Sequence, residues 1–217
     1  MIRRFQLRKS AFLALVIGLF ALCSLASAQQ GDAYIGGGTL LSSSASPPLI
    51  AGTNCGISSS GNAVCPEKGG FYMNLGADVI FKNRIGGAFD VNWKASQAAF
   101  GGPFGQPYRP LQFTFNGVYQ PRLGKKAGLD LFGGIGWQST RFYAYTNTAN
   151  CYYFGACYNS SNHFLMDVGG GIRYYVWGHM FVRPEVRYYH IVNNGDNFTS
   201  DHVIRVGASI GYTIGPE

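Results

Sequence analysis

The chain has 217 residues, of which 12% are charged, about half the share of roughly 25% found in ordinary soluble domains. Glycine supplies 31 residues and aromatic side chains 15% of the chain, while the mean hydropathy is +0.02. This composition excludes a disordered chain, which needs high charge, and a bundle of membrane-spanning helices, which needs apolar runs of about 20 residues. It indicates instead that apolar and polar residues alternate along β-strands.

The first 28 residues match a secretory signal peptide. Basic residues open the chain, an apolar run extends from Ala11 to Leu25, and Ala26-Ser27-Ala28 is an A-x-A cleavage site. The alternative, an anchoring helix, is disfavoured because the run has about 15 residues whereas a membrane span needs about 20. We predict a signal peptide at 1–28 and one exported domain at 29–217.

Removal of the signal peptide changes the charge balance. Four of the 17 basic residues lie in it, so 13 Lys and Arg remain against 10 Asp and Glu, a net charge of +3 rather than +7. This small excess does not indicate a nucleic-acid partner.

Eight alternating segments bounded by turn residues predict β-strands. In chain order they span residues 32–42, 70–81, 85–95, 110–120, 127–142, 163–176, 180–191 and 202–214. Long polar loops and short turns alternate between them. A closed antiparallel up-and-down barrel places the long loops at one rim and the short turns at the other, as in bacterial outer-membrane barrels. A soluble lipocalin-like barrel is the alternative, but nothing in its physics requires this asymmetry.

The two faces of the strands favour a transmembrane β-barrel. In segment 70–81, for example, Leu75 and Val79 lie on one face and Asn74 and Asp78 on the other. The polar face is rich in glycine, which suits the crowded interior of a narrow barrel better than a solvated exterior. The fold class is therefore all-β, an eight-stranded transmembrane barrel with its apolar face toward lipid.

The ionisable residues of the polar face form two equal groups. The acids are Asp78, Asp90, Asp130, Asp167 and Glu185, and the bases are Lys94, Arg173, Arg183, Arg187 and Arg205. Because an unpaired buried charge is costly, we expect these residues to form a paired charge network in the lumen. A charged ring that selects ions is disfavoured, since eight strands enclose only enough space for side chains to fill. We predict a plugged, salt-bridged lumen.

Four cysteines remain after the signal peptide, as two local pairs in polar loops: Cys55 with Cys65 and Cys151 with Cys157. In an exported chain, this arrangement predicts two loop disulfides. Free or metal-binding thiols are the alternative, but neither pair has C-x-x-C spacing. The second pair encloses a candidate binding patch or rim-packing patch, Tyr152, Tyr153 and Phe154.

The segment from Arg205 to Tyr212 resembles the terminal strand of outer-membrane barrels: a polar residue, a spacer, Gly207, two spacers, Ile210, a spacer and Tyr212. With the signal peptide and eight strands, the mature chain resembles the outer-membrane-protein-A-like and opacity-like small barrels over essentially its whole length. The resemblance implies the outer membrane of a Gram-negative bacterium, contact with outer-membrane lipid and lipopolysaccharide, and assembly machinery that recognises Gly207, Ile210 and Tyr212. Thr213 to Glu217 depart from the pattern by continuing past the aromatic residue.

The best case for an enzyme lies around His190. This segment resembles lipid A deacylases, in which a His is followed two positions later, on the same face, by a nucleophilic Ser. The second position here is Val192, which has no hydroxyl for a base to activate. We therefore expect no enzyme activity, no catalytic residue, no metal and no cofactor.

The patterns together favour a non-enzymatic outer-membrane barrel that supports envelope integrity and presents disulfide-stapled loops for adhesion or binding, since long loops on a rigid scaffold commonly carry binding sites. A small-solute channel or transporter is the alternative. A lipid A-modifying enzyme of the deacylase type is a third class.

Overall fold

A computed structural model describes residues 28–45, 49–51, 55–57, 61, 63–67, 69–81, 83–100, 106–143 and 158–215. The predicted signal peptide, apart from Ala28, lies outside these residues. So do Cys151, Cys157 and the aromatic patch between them.

Eight long strands form a closed antiparallel barrel, which confirms the predicted fold. In chain order the strands are β1 (Ala28–Ser42), β2 (Gly56–Ile57), β3 (Ala63–Val64), β4 (Tyr72–Phe81), β5 (Ile85–Lys94), β6 (Ala98–Phe100), β7 (Gln106–Tyr119), β8 (Ala127–Tyr143), β9 (Tyr158–Trp177), β10 (Met180–Ile191) and β11 (His202–Ile214). The short strands β2 and β3 pair with each other, and β6 pairs with β7. The other strands pair with their sequence neighbours, and β1 pairs with β11 to close the ring.

Three strands begin earlier than the alternation predicts. β1 begins at residue 28 rather than 32, β7 at 106 rather than 110, and β9 at 158 rather than 163. In β9 the added residues read Tyr-Asn-Ser-Ser-Asn and pair with the end of β8 as far as Tyr143 with Tyr158. Polar residues stand on both faces there, so hydrophobic alternation gives no signal even though the backbone ladder continues.

The connections fall at two rims, as expected. The ends of the barrel are named here the turn rim, which carries the turns around residues 83, 121–126 and 178–179, and the loop rim, which carries the longer connections. A short 3-10 helix (Asn194–Asp196) lies in the loop between β10 and β11. Within the described ranges, no helix is long and apolar enough to span a membrane.

The buried side chains of the barrel interior are of two kinds. A buried apolar cluster lies toward the loop rim on β1, β4, β9, β10 and β11, and consists of Leu40, Tyr72, Leu165, Tyr189, Ile191 and Val203. The other buried side chains, which extend to the turn rim and include Lys94 and Gln138 near the loop rim, are mainly charged or amide-bearing. The outer face is exposed and apolar, with Leu75, Ile135 and Ile210 each more than half exposed. The apolar cluster inside the barrel was not expected from the sequence, which indicated a polar lumen throughout.

Candidate functional site

The lumen holds one connected network of buried ion pairs. It contains four arginines, on β9, β10 and β11, and six carboxylates, on β1, β4, β5, β8, β9 and β10. Each is at least nine-tenths buried: Arg173, Arg183, Arg187, Arg205, Asp32, Asp78, Asp90, Asp130, Asp167 and Glu185. Because strand residues alternate in direction, every member reaches the interior from its own wall position.

Arg173 organises the end of the network nearest the turn rim. Its guanidinium pairs with the Asp32 carboxylate, while its Nη2 lies 3.0 Å from Asp130 Oδ2 and 3.4 Å from Asp78 Oδ2. The guanidinium carbon also stands 4.1 Å from the ring centroid of Phe181, a cation–π contact. One arginine thus links three walls of the barrel.

Arg183 and Arg187 extend the network toward the loop rim through Glu185. Arg183 Nη1 lies 3.2 Å from Asp130 Oδ2, and its Nε lies 3.2 Å from Glu185 Oε2. Arg187 Nη2 lies 3.0 Å from Asp90 Oδ2. Arg187 also pairs with Asp167, and Glu185 also pairs with Arg205. Tyr34 donates its hydroxyl hydrogen to Asp90 Oδ1 at 2.7 Å.

The network differs from the expected five-by-five pairing in two respects. Asp32 is a sixth acid, which the sequence pattern concealed because glycines at 36–38 and the apolar pair Leu40 and Leu41 blur the alternation of β1. Lys94 faces the interior but has no carboxylate within 4.0 Å among the described residues. Its Nζ donates to the Gly69 carbonyl oxygen at 3.0 Å and lies over the Tyr72 ring.

Glu67 caps the interior from the loop rim. Its carboxylate is fully buried and accepts hydrogen bonds from Gln138 Nε2 at 3.1 Å and Asn194 Nδ2 at 3.3 Å. These bonds join the loop after β1, the wall strand β8 and the loop after β10. Burial raises the pKa of Glu67 to about 7, although both hydrogen bonds and the nearby Lys94 charge act in the opposite direction. Sequence patterning missed Glu67 because a loop residue has no periodicity.

Two loops interlock beside Glu67. Cys55 and Cys65 form a disulfide, which confirms that predicted pair. Thr199 donates its backbone N–H to the Cys65 carbonyl at 3.1 Å and its hydroxyl to the Ser43 carbonyl at 2.7 Å. Phe198 is buried against Tyr108 and Phe142 of the wall. The described part of the first and last loops therefore folds over the loop rim.

The proposed assembly residues lie on β11. Gly207 faces the interior, and a Cβ there would lie 2.7 Å from the Gly37 carbonyl oxygen, so this position requires glycine. Ile210 and Tyr212 point outward and are 55% and 52% exposed.

His190 lies at the loop-rim end of β10, directly opposite His202 on β11. The two ring centroids are 5.1 Å apart, and Tyr188 Oη lies 2.5 Å from His202 Nδ1. The residue that faces His190 across the strand pair is therefore another imidazole, not a nucleophilic serine. No group of three or more His, Cys, Asp or Glu side chains in the described part of the chain is arranged to hold a metal.

The barrel is closed, its ion pairs face inward and its apolar face points outward. A comparison with known protein families then decides what kind of protein this is. A family model described as the outer membrane protein beta-barrel domain matches residues 12–211. The chain belongs to this family. It is a bacterial outer-membrane protein, and its outward apolar face contacts membrane lipid.

Solved structures show the same fold at low identity. Neisserial surface protein A is 12% identical over 84% of this chain and 95% of its own, with a TM-score of 0.56. The N-terminal β-barrel domain of Pseudomonas aeruginosa OprF is 7% identical over 86% and 98%, with a TM-score of 0.54. Ail of Yersinia pestis is 14% identical over 86% and 99%, with a TM-score of 0.50. No curated protein matches the chain.

Family membership orients the barrel. Outer-membrane barrels have short turns in the periplasm and longer loops outside the cell. The turn rim of this protein is therefore periplasmic, and the loop rim is extracellular.

Proposed function

We propose that this protein is a non-enzymatic outer-membrane barrel with a plugged lumen, which supports envelope integrity and presents its loops as an extracellular binding surface. The observation that carries the proposal is that three groups of buried side chains fill the interior, one after another, from the turn rim to the loop rim. The ion-pair network fills the periplasmic part, the apolar cluster lies above it, and Glu67 with its two amide partners lies under the loops.

A plugged lumen argues against the channel alternative. An eight-stranded barrel has interior space only for side chains, and here three arginines on two strands, β9 and β10, reach across it to acids on the facing walls. Moving an ion through this region requires breaking buried ion pairs, and stranding one partner of such a pair typically costs about 3–5 kcal/mol.

Planar-bilayer conductance tests the plug. Purified wild-type protein is expected to give no conductance above the empty-membrane baseline. The double variant E185A/R205A removes one acid and one base that pair with each other but leaves the apolar cluster and the Glu67 cap in place, so it should give no more than brief openings of low conductance. The matched control V186A/V206A alters the outward neighbours on the same two strands and should remain silent. Steady wild-type conductance would contradict the plug and favour the channel.

The loop surface is proposed to be the part that binds. It combines a disulfide at Cys55 and Cys65 with the interlock at Thr199, so the described loops are held in place before a partner arrives. Preorganisation of this kind lowers the entropic cost of binding. We also propose the second disulfide, Cys151 with Cys157, and the enclosed aromatic patch as parts of this surface.

A deletion strain tests the biological role. The strain is expected to become more sensitive to detergents and to lose binding to host or neighbouring cells, and the wild-type gene should restore both properties. A strain that carries C55A/C65A should retain barrel assembly while binding decreases. If deletion changes neither property, the proposed role is wrong.

The terminal strand is proposed to engage the barrel-assembly machinery through Gly207, Ile210 and Tyr212. The outward exposure of the last two residues leaves their side chains accessible to a partner before the barrel is surrounded by lipid.

A further inference from the structure

We infer that the outer face of β7, β8 and β9 near the loop rim is a binding site for a phosphorylated lipid of the outer leaflet. This site lies on the wall rather than on the loops, so the inference goes beyond the function proposed above. It rests on a pair of uncompensated arginines, a polar row beneath them and an apolar groove beneath that row.

The strand register sets outward side chains in rows across the three strands. The row nearest the loop rim contains Arg109, Arg141 and Ser160, the next contains Leu111, Ser139 and Asn162, and the third contains Phe113, Trp137 and Phe164. Hydrogen-bonding groups therefore lie directly between a cationic row and an aromatic row. This order matches that of a lipid with a charged headgroup, a polar linker or sugar, and acyl chains.

Arg109 and Arg141 lie opposite each other on adjacent strands. Like charges in this position repel. Arg109 is held by a hydrogen bond from its Nε to the Lys94 carbonyl at 2.8 Å, and Arg141 lies 4.9 Å from the Tyr158 ring centroid. Both guanidiniums are thus positioned by neutral groups, and neither has a carboxylate within 4.0 Å among the described residues.

The sequence itself supplies almost no acid to neutralise this pair. Of the 10 Asp and Glu residues in the chain, six are in the lumen network and Glu67 lies in the cap. The remaining three are Asp196, Asp201 and Glu217, and the sequence from 144 to 157 contains none. An anion from outside the chain is therefore the natural partner, and two adjacent guanidiniums suit the planar, multidentate recognition of a phosphate.

A groove of about 470 Å³ opens on the same outer face below the arginines. Its lining includes Phe115, Ile135, Trp137 and Phe164, with Asn162 and His163 at the polar side. Arg141 and Trp137 are four residues apart on β8, about 13 Å at 3.3 Å per residue. A ligand that satisfies both features must carry an anion and an apolar chain at that separation, which selects a phosphorylated lipid over inorganic phosphate.

The test measures lipid retention. Wild-type protein is incorporated into phosphatidylcholine nanodiscs that contain a small fraction of bis-phosphorylated lipid A, then released and examined by native mass spectrometry for bound lipid A. The variant R109Q/R141Q should reduce the apparent affinity about tenfold, as expected for the loss of charge-assisted hydrogen bonds. The control R84Q/R122Q removes the same charge from two exposed arginines at the turn rim and should have no effect.

Two further arms identify the ligand. Dephosphorylated lipid A should bind at least about tenfold more weakly than the phosphorylated form to wild-type protein. Inorganic phosphate should not displace the lipid at equal concentration, and W137A should weaken lipid binding while the barrel remains heat-modifiable on a gel. Equal loss in both arginine double variants, equal binding of dephosphorylated lipid, or displacement by free phosphate would each overturn the assignment.

Discussion

Glu67 illustrates how one side chain can connect parts of the chain that are distant in sequence. Its carboxylate joins the first loop to β8 and to the last loop through Gln138 and Asn194. Lys94, Tyr72 and Tyr108 are the titratable groups whose charges interact with it. Among the described residues, no cation lies within ion-pairing distance of Glu67, so the proton competes effectively for this site.

The cap is therefore expected to loosen as pH rises. The pKa of Glu67 rises from its ordinary 4.5 to about 7 in the closed cap, so the closed state holds the proton more tightly than an open state. Cap stability is then complete below about pH 4.5 and falls progressively until about pH 7, by about 3 kcal/mol. Hydrogen exchange of residues 63–70, corrected for intrinsic rates, should accelerate between about pH 5 and about pH 8.

The variant E67Q provides the control for this effect. Glutamine keeps the shape and remains neutral, so its exchange rates should show no comparable pH dependence. If E67Q and wild-type protein respond to pH in the same way, another group controls the cap.

In β8, two consecutive glycines face opposite sides of the barrel wall and differ in the space that a side chain would have. Gly134 faces inward, where a Cβ would lie 2.0 Å from the Phe115 carbonyl oxygen of the paired strand β7. The adjacent Gly133 faces outward, where a Cβ would lie 3.7 Å from the nearest heavy atom, the Asp167 carbonyl oxygen. Two consecutive glycines thus experience opposite constraints because successive strand residues point to opposite faces.

This difference predicts unequal effects of the same substitution. G134A should destabilise the barrel by about 1–3 kcal/mol, because the added methyl group forces backbone shifts in a packed interior. G133A should leave stability nearly unchanged. Urea unfolding in lipid vesicles, followed by tryptophan fluorescence, measures both. Equal destabilisation would show that crowding inside the barrel is not the cause.

The alternation of strand residues made most of the architecture predictable. Segments such as 70–81 and 202–214 repeat apolar and polar residues with period two, and the observed strands agree with them closely. The prediction was less accurate where the two faces of a strand do not differ in polarity. Residues 158–162 are mostly polar on both faces and conceal the start of β9, whereas Leu40 is apolar on the inner face because it joins the buried apolar cluster.

The candidate site was only partly predictable for a related reason. The alternation of strand residues identifies which charged side chains point inward, but it does not show which of them form ion pairs with each other. Lys94 points inward yet contacts a carbonyl and aromatic rings, and Asp32 joins the network from a strand with blurred alternation. The loop cap depends on Glu67 and Asn194, which are 127 positions apart in the sequence. Only tertiary packing brings such residues together.

The molecule as a whole is a ring without a sheet edge, since β1 and β11 pair from Gly31 with Ile214 to Ser42 with Val203. Both ends of the barrel chain therefore lie side by side at the turn rim. Any of the turns at this rim is geometrically equivalent to the gap between the ends. The strand pairs of the barrel therefore do not depend on which connection at the turn rim is left open, which makes circular permutation feasible.

A circularly permuted variant separates the ability of the chain to fold from its delivery to the outer membrane. Joining Gly215 to Gln29 through a short linker and opening the chain between Gly124 and Lys125 makes β7 the last strand and β11 an internal one. The permutant should refold in detergent to a heat-modifiable barrel, because every strand pair is retained. With the predicted signal peptide, residues 1–28, placed before Lys125 so that export is kept, it should still fail to reach the outer membrane in cells, because the strand with Gly207, Ile210 and Tyr212 is no longer the last strand. Normal delivery would mean that these residues act wherever they stand in the sequence.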